Sequence, residues 1–313
     1  MPTECIYNVA YSDARESPPS ELFFTKRGRM EIGLVLSGGL AKGAYQIGAL
    51  RALDEFVPPE EIKVISFASI GALNGYAYSV GRLDEAERMW REACSDKSQR
   101  NIVKFMRSPR LSEYADELGK LGSSSRSHVY CSLYDFDHSS VTYKNIAGEA
   151  SGDIPDYLRA SVALPPIMRA VKIGGTNYLD GGVIDNIPVF PLLDHELDYI
   201  ICVYFDERAI EFERESFDDR IIKVSFPDKP GFGESFYLRE SSLNEMISTG
   251  YDTAKGIFSA VFSNGYTDTD SVLEGIRRLN ASAGKPKLRL TVDVLASNLN
   301  RFAQKFAARR IIR

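Results

Sequence analysis

Ser69, Asp180 and the turn Ser37-Gly38-Gly39-Leu40-Ala41-Lys42-Gly43 are the residues whose types and neighbours could do chemistry. Ser69 follows the apolar run Val64–Phe67 and opens a stretch of small residues, so a strand hands over to a helix at a hydroxyl. That setting suits a nucleophile elbow, a sharp turn that lifts the hydroxyl to the positive end of a helix. It suits equally a serine that N-caps the helix. Ala68, Gly71 and Ala72 supply the small side chains an elbow needs, while Phe67 stands where the G-x-S-x-G pattern places its first glycine. In the glycine turn, backbone N–H groups can approach an anion, either the oxyanion of an acyl transfer or a phosphate. The turn lacks the spacing of a P-loop, and Leu40 occupies the second glycine of the dinucleotide fingerprint. Asp180, followed by Gly181 and Gly182, ends a strand-like run; a carboxylate there can take a proton from a nearby hydroxyl or close an Asx turn.

A Ser-His-Asp triad needs a histidine at a strand end. The three histidines, His128, His138 and His195, each read as surface or turn residues, and a Ser-Asp pair would account for their scarcity. With so few histidines and no CxxC among Cys5, Cys94, Cys131 and Cys202, neither a metal site nor a cofactor is expected. Cys131 and Cys202 lie in strand-like runs as small apolar residues, which favours a reducing, cytoplasmic compartment.

The elements that must position these residues alternate between strand and helix. Ile32–Leu36 predicts a buried strand, the turn follows, and Ala44–Phe56 predicts a helix; Val64–Phe67 and Ser69–Ser79 repeat the pattern. A helix is predicted over Asp84–Ala93, then an irregular polar and basic region over Lys97–His128, of which Met106–Ser127 suits either a lid over the acyl site or an exposed loop with a short helix. Val129–Tyr143 reads as strands around a turn at Asp135–Ser140, and Tyr157–Leu164 as a short helix stopped by Pro165 and Pro166. Ala170–Ile173 and Thr176–Leu179 flank Gly174-Gly175 as a hairpin that ends on Asp180. Asp198–Phe205, Ile221–Ser225 and Leu288–Leu295 are further strand candidates; helices are predicted over Ser242–Ser259 and Asp270–Leu279. Alternation of this kind implies an α/β fold with a mostly parallel central sheet sandwiched by helices, and ligands at the carboxyl ends of the strands. Residues 1–30 read as an arm, 31–205 as the core, and 206–313 as its continuation.

Net charge and patterning bound the partners. A net charge of -5 gives no general attraction to polyanions, so nucleic acid is not expected as a partner. No segment is apolar for the length needed to span a bilayer. The tail, with Leu295, Leu299, Phe302 and Phe306 at near-helical spacing, Arg301 and Lys305 among them and Arg309, Arg310 and Arg313 after them, suits either a basic amphipathic helix at a membrane surface or one docked on the core.

With these residues in place, the chain resembles the patatin-like phospholipase family. The resemblance rests on Ser37–Tyr45, on Ala68-Ser69-Ile70-Gly71-Ala72-Leu73-Asn74, on Ala160–Pro165, and on Asp180-Gly181-Gly182 with Asn186 and Pro188 after it. It implies a three-layer α/β core and a lipid acyl hydrolase acting on phospholipid or other acyl esters without a cofactor. Ser69 would be the nucleophile and Asp180 the base. Gly38 and Gly39 would offer oxyanion N–H groups, with Leu40 and Gly43 in the same turn and Lys42 at the family's basic position. Leu40 and Phe67 both depart from family glycines. Competing readings are a non-catalytic lipid- or acyl-binding protein on this fold and a nucleotide-binding α/β protein.

Overall fold

The computed structural model describes residues 30–95, 101–122, 126, 128–149, 152–205, 219–226 and 239–282. Residues 1–29, the strand expected over Leu288–Leu295 and the basic tail lie outside the described residues. The strands are β1 (Ile32–Leu36), β2 (Ile62–Phe67), β3 (His128–Asp135), β4 (Ser140–Asn145), β5 (Val171–Ile173), β6 (Thr176–Asp180), β7 (Tyr199–Tyr204) and β8 (Ile221–Ser225). The helices are α1 (Gly43–Asp54), α2 (Gly71–Ser79), α3 (Leu83–Ser95), α4 (Ile102–Arg107), α5 (Pro109–Gly119), α6 (Ile154–Ser161), α7 (Glu240–Val261) and α8 (Thr269–Ser282).

Among the described residues, the eight strands form one sheet in the order β5-β6-β3-β2-β1-β7-β8, with β4 also on β3. From β3 to β8 the strands run parallel, and their runs of Ile, Val and Leu are buried on both faces as central parallel strands require. The fold is therefore mixed α/β, with a mostly parallel central sheet flanked by helices. Side chains alternate between the faces. Ile32, Leu34, Leu36, Ile65, Phe67, Cys131, Ile201 and Val203 join the main core with the buried faces of the helices. Val35, Val64, Tyr130, Ile200 and Cys202 join a second cluster, closed among the described residues by Ile187, Val189 and Leu192.

Strand β3 does double duty. Its first half pairs with β2, up to Phe67 opposite Cys131, and its second half pairs with β6, from Asp180 opposite Leu133. Because β4 occupies the other side of β3 over residues 130–135, β2 and β6 lie end to end along one edge. The chain leaving β2 and the last residue of β6 thus meet at the carboxyl end of the sheet.

The segment expected to be irregular, 97–128, contains α4 and α5. Asn101 caps α4 by accepting from the amide of Val103 at 2.9 Å, and Pro109 opens α5 at a position where a missing N–H costs nothing. Ile102, Phe105, Leu111, Tyr114, Ala115 and Leu118 are buried in the main core, so residues 102–119 are core elements and not a loose cover. The Ser108-Pro109 break splits their apolar spacing into two short runs, too brief to read as a helical period.

Helices α1 and α7 cross backbone against backbone. A Cβ on Gly48 would sit 2.0 Å from the Ile247 carbonyl oxygen, and one on Gly250 would sit 2.2 Å from that of Tyr45. Neither backbone can yield locally, so Gly48→Ala is expected to destabilise the protein by about 3 kcal/mol, the upper end for overpacking. Urea denaturation followed by circular dichroism checks this. Gly256→Ala, on the same α7 but facing open space, should be neutral or slightly stabilising.

Candidate active site

At the end of β2 the chain turns sharply. The Ala68 amide donates to the Leu36 carbonyl at 3.1 Å, Gly71 to Ala68 at 3.0 Å and Ala72 to Ser69 at 2.9 Å. Ser69 is held between them at φ +53°, the left-handed region, a conformation that costs a non-glycine residue roughly 1–2 kcal/mol. The capping alternative does not hold: α2 begins after Ile70, and no side chain caps it. The hydroxyl therefore stands at the mouth of a helix whose nine residues are all buried, where the dipole favours negative charge. Phe67 keeps an ordinary backbone conformation, and its ring fills space that Gly75 leaves open on α2, which absorbs the departure from glycine.

The glycine turn lies alongside. Ser37 ties to β7 through its amide and the Val203 carbonyl at 3.0 Å, and Leu40–Lys42 form a 3-10 turn closed by the Lys42 amide on the Gly39 carbonyl at 3.0 Å. Gly43 begins α1, with its amide on the carbonyls of Leu40 and Ala41. Leu40 also sits at φ +53°, so the strain implied by its departure from glycine is present. Gly38 is packed so tightly that a Cβ there would lie 2.6 Å from that of Ser69. Its amide donates to the Asn186 carbonyl at 3.3 Å, and its carbonyl accepts from Asn186 Nδ2 at 3.2 Å. The amides of Gly39 and Leu40 have no acceptor among the described residues, and both residues are partly exposed.

Asp180 closes the site from β6. Its amide donates to the Ala163 carbonyl at 3.1 Å, and its Oδ1 accepts from the Gly182 amide at 2.8 Å within the 3-10 turn Gly181–Val183. Gly181 lies against Ser132 of β3, and Gly182 beside Ser69 and Asn186. The carboxyl is 1% exposed, and Oδ2 has no hydrogen-bond partner. The Ser69 hydroxyl lies near enough to favour the ionised acid but does not complete a hydrogen bond to it. Burial outweighs this help and that of Gly182, and pushes the acid up to about 7. Ser69, Asp180 and the glycine turn, distant in sequence, are thus brought together.

Two residues that the sequence reading gave no role hold this arrangement. Asp185, 2% exposed, accepts from the Tyr143 hydroxyl at 2.5 Å and the Ile187 amide at 3.2 Å, and so fixes the loop that carries Asn186 to Gly38. The histidines are elsewhere. His138 is an exposed turn residue beside Asp135, as expected. His128 and His195, in contrast, are half-buried in one aromatic cluster at the amino end of β3, with ring centroids 4.4 Å apart and His195 Nε2 3.0 Å from the Tyr130 hydroxyl.

Burying Asp180 weakens the fold when it is charged. A carboxyl at 3.8 in the unfolded chain and about 7 in the folded one binds its proton more tightly when folded. Its contribution is fully present below about pH 4 and lost as pH rises through 7, up to about 4 kcal/mol in all. Asp180→Asn keeps the Gly182 hydrogen bond and removes the charge. Its melting temperature should exceed that of the wild type at pH 8.5, and the gap should shrink toward pH 5. A gap independent of pH would contradict this account.

With the geometry established, similarity to known proteins can be read on it. The family model described as patatin-like phospholipase matches residues 34–139 and 134–193, which include the glycine turn, Ser69 and Asp180. The chain is 29% identical over 180 residues to lysophospholipase NTE1 of Cryptococcus neoformans var. neoformans serotype D, covering 55% of this chain and 11% of that protein. It is 27% identical over 180 residues to an uncharacterized NTE family protein of Mycobacterium bovis, covering 55% of this chain and 48% of that one. The chain thus spans about a tenth of the fungal relatives' length and about half of the mycobacterial one. Among solved structures it is similar to VipD from Legionella pneumophila, at a TM-score of 0.43 and 13% identity, covering 72% of this chain and 66% of that one. The family match spans just over half the sequence and takes in Ser69, Asp180 and the glycine turn, and the chain belongs to the patatin-like phospholipase family.

Proposed function

We propose that this chain is a serine lipid acyl hydrolase, of phospholipase A, lysophospholipase or carboxylesterase type, that works through a Ser69–Asp180 dyad. One observation carries the reading: a serine strained at φ +53° at a helix N-terminus stands against a fully buried carboxyl whose Oδ2 has no other partner. A carboxyl poised near 7 is suited to exchange protons at neutral pH.

In the proposed cycle Asp180 takes the Ser69 proton as Oγ attacks the ester carbonyl. The oxyanion is met by the Gly39 and Leu40 amides and the positive end of α2. Asp180 then returns the proton to the leaving alcohol, and an acyl-enzyme remains. Water, deprotonated by the same carboxylate, attacks the acyl carbonyl and releases the fatty acid with Ser69 restored. The Gly38 amide joins the donors only by leaving the Asn186 carbonyl. Substrate class follows the family and the lysophospholipase relatives: a phospholipid or another acyl ester.

Engagement of the Gly38 amide by Asn186 also favours a second reading, acyl binding without turnover. Turnover decides between them. Fatty acid release from lysophospholipid and product from a chromogenic ester should fall at least ~10³-fold in Ser69→Ala and in Asp180→Asn, each checked for folding by circular dichroism. The wild-type kcat/KM should rise with pH through a limb near 7, as the carboxylate replaces the acid. A silent wild type, or activity that survives Ser69→Ala, would overturn the hydrolase reading in favour of acyl binding.

A further inference from the structure

Four buried groups form a hydrogen-bonded chain that grips both ends of the glycine turn. The Trp90 indole N–H of α3 donates to Asn74 Oδ1 at 3.1 Å. Asn74 Nδ2, on α2, donates to Gln46 Oε1 at 2.8 Å and to the Gly43 carbonyl at 2.9 Å. Gln46 Nε2, on α1, donates to the Ser37 carbonyl at 2.8 Å. Ser37 precedes the turn and Gly43 follows it. Trp90, Asn74, Gln46 and Ser37 are all 0% exposed, and the Trp90 ring packs so closely on Gly43 that a Cβ there would approach it to 2.7 Å.

A packed apolar trio would fill the same space without the desolvation that burying two amides and an indole N–H entails. Stability alone therefore does not call for the network, whereas a fixed geometry does. Between the two gripped carbonyls lie Gly38, Gly39 and Leu40, with Leu40 in the left-handed region. Freed of the grip, the turn could relax toward an ordinary conformation at Leu40 and swing the Gly39 and Leu40 amides away from Ser69.

We propose that Gln46, Asn74 and Trp90 are positioning residues that pre-set the glycine turn, so that the Gly39 and Leu40 amides already face the position where an oxyanion forms. This rests on the hydrolase reading above. The network leaves Asp180 untouched, so it acts on the stabilisation of the tetrahedral state and not on proton transfer. Trp90 is the single tryptophan of the chain, so its fluorescence reports on the far end of the network alone.

The test compares the wild type with Gln46→Met, which is close in volume but cannot hydrogen-bond; with Trp90→Phe, which keeps a ring against Gly43 but loses the donor; and with Phe258→Leu, a buried change on α7 away from the turn. Each is measured for melting temperature, for kcat and KM on a soluble chromogenic ester, and for the rate at which Ser69 is labelled by a fluorophosphonate. Gln46→Met should lower kcat and labelling about 10²-fold with KM within about twofold, the cost of misplacing preorganised donors, and keep the pH limb near 7. Trp90→Phe should lower kcat about tenfold, and supplies the test if Gln46→Met fails to fold. Phe258→Leu should lower the melting temperature and leave kcat alone. Phosphonylation should shift Trp90 emission in the wild type, and the shift should be lost in Gln46→Met. Wild-type kcat in folded Gln46→Met, or a kcat loss that Phe258→Leu matches at equal loss of melting temperature, overturns the proposal while Ser69-dependent activity keeps the hydrolase reading. A wild type that neither turns over esters nor reacts with the fluorophosphonate overturns both.

Discussion

Removing a carboxyl group from water is costly, and the site of this protein is organised around one such removal. Asp180 sits at the end of a strand, covered on every side, with one oxygen satisfied by the Gly182 amide and the other left without a completed hydrogen bond beside Ser69. Deprived of water, the acid holds its proton to about 7 and becomes responsive to any hydroxyl that can share it. Ser69 is the hydroxyl within reach, and the left-handed backbone at that residue is the local cost of holding it there. The buried helix behind Ser69, the close seating of Gly38 and the Asn186 loop all keep this pair dry and in register. The histidines lie apart from this pair, in a hairpin turn and at the opposite end of the sheet.

Much of this was legible in the sequence because it is local. Continuous apolar runs mark β1, β2 and β7 as central strands, and Gly174-Gly175 marks the hairpin, with both glycines at positive φ. Small residues around Ser69 mark a tight turn. The two helices at 102–119 are legible only as a single short helix at most, because each is short and their apolar positions are divided by Ser108-Pro109. The Trp90–Asn74–Gln46 chain was not legible either, since it joins three helices through tertiary contacts. One signal was available: an amide side chain on each of two otherwise apolar helix faces, at Gln46 and Asn74, is hard to explain unless something buried needs it.

The two departures from glycine resolve differently. At Phe67 the fold makes room, because Gly75 stands under the ring and the backbone remains extended. At Leu40 it does not, and a side chain is held where glycine would be at ease. Local preference yields to tertiary restraint only where neighbours over-determine the conformation, and the turn around Leu40 is restrained from three sides: Ser37 on β7, Gly38 on Asn186, and Gly43 on Asn74.

The sharing of β3 between β2 and β6 has a consequence for how the molecule comes into being. The β1–α1–β2–α2 unit carries Ser69 and the glycine turn, and β1 pairs with β2 close in sequence, whereas the turn is complete only once Val203 and Asn186 reach Ser37 and Gly38. Asp180 arrives only when the 171–180 hairpin lays itself against the second half of β3, a pairing that spans a long loop of chain. The slip of one residue that would flip the hairpin's side chains to the other face would also carry the carboxyl away from the serine. A chain extended only as far as α2 therefore holds the serine without the carboxyl, and the two come together only with the completed sheet.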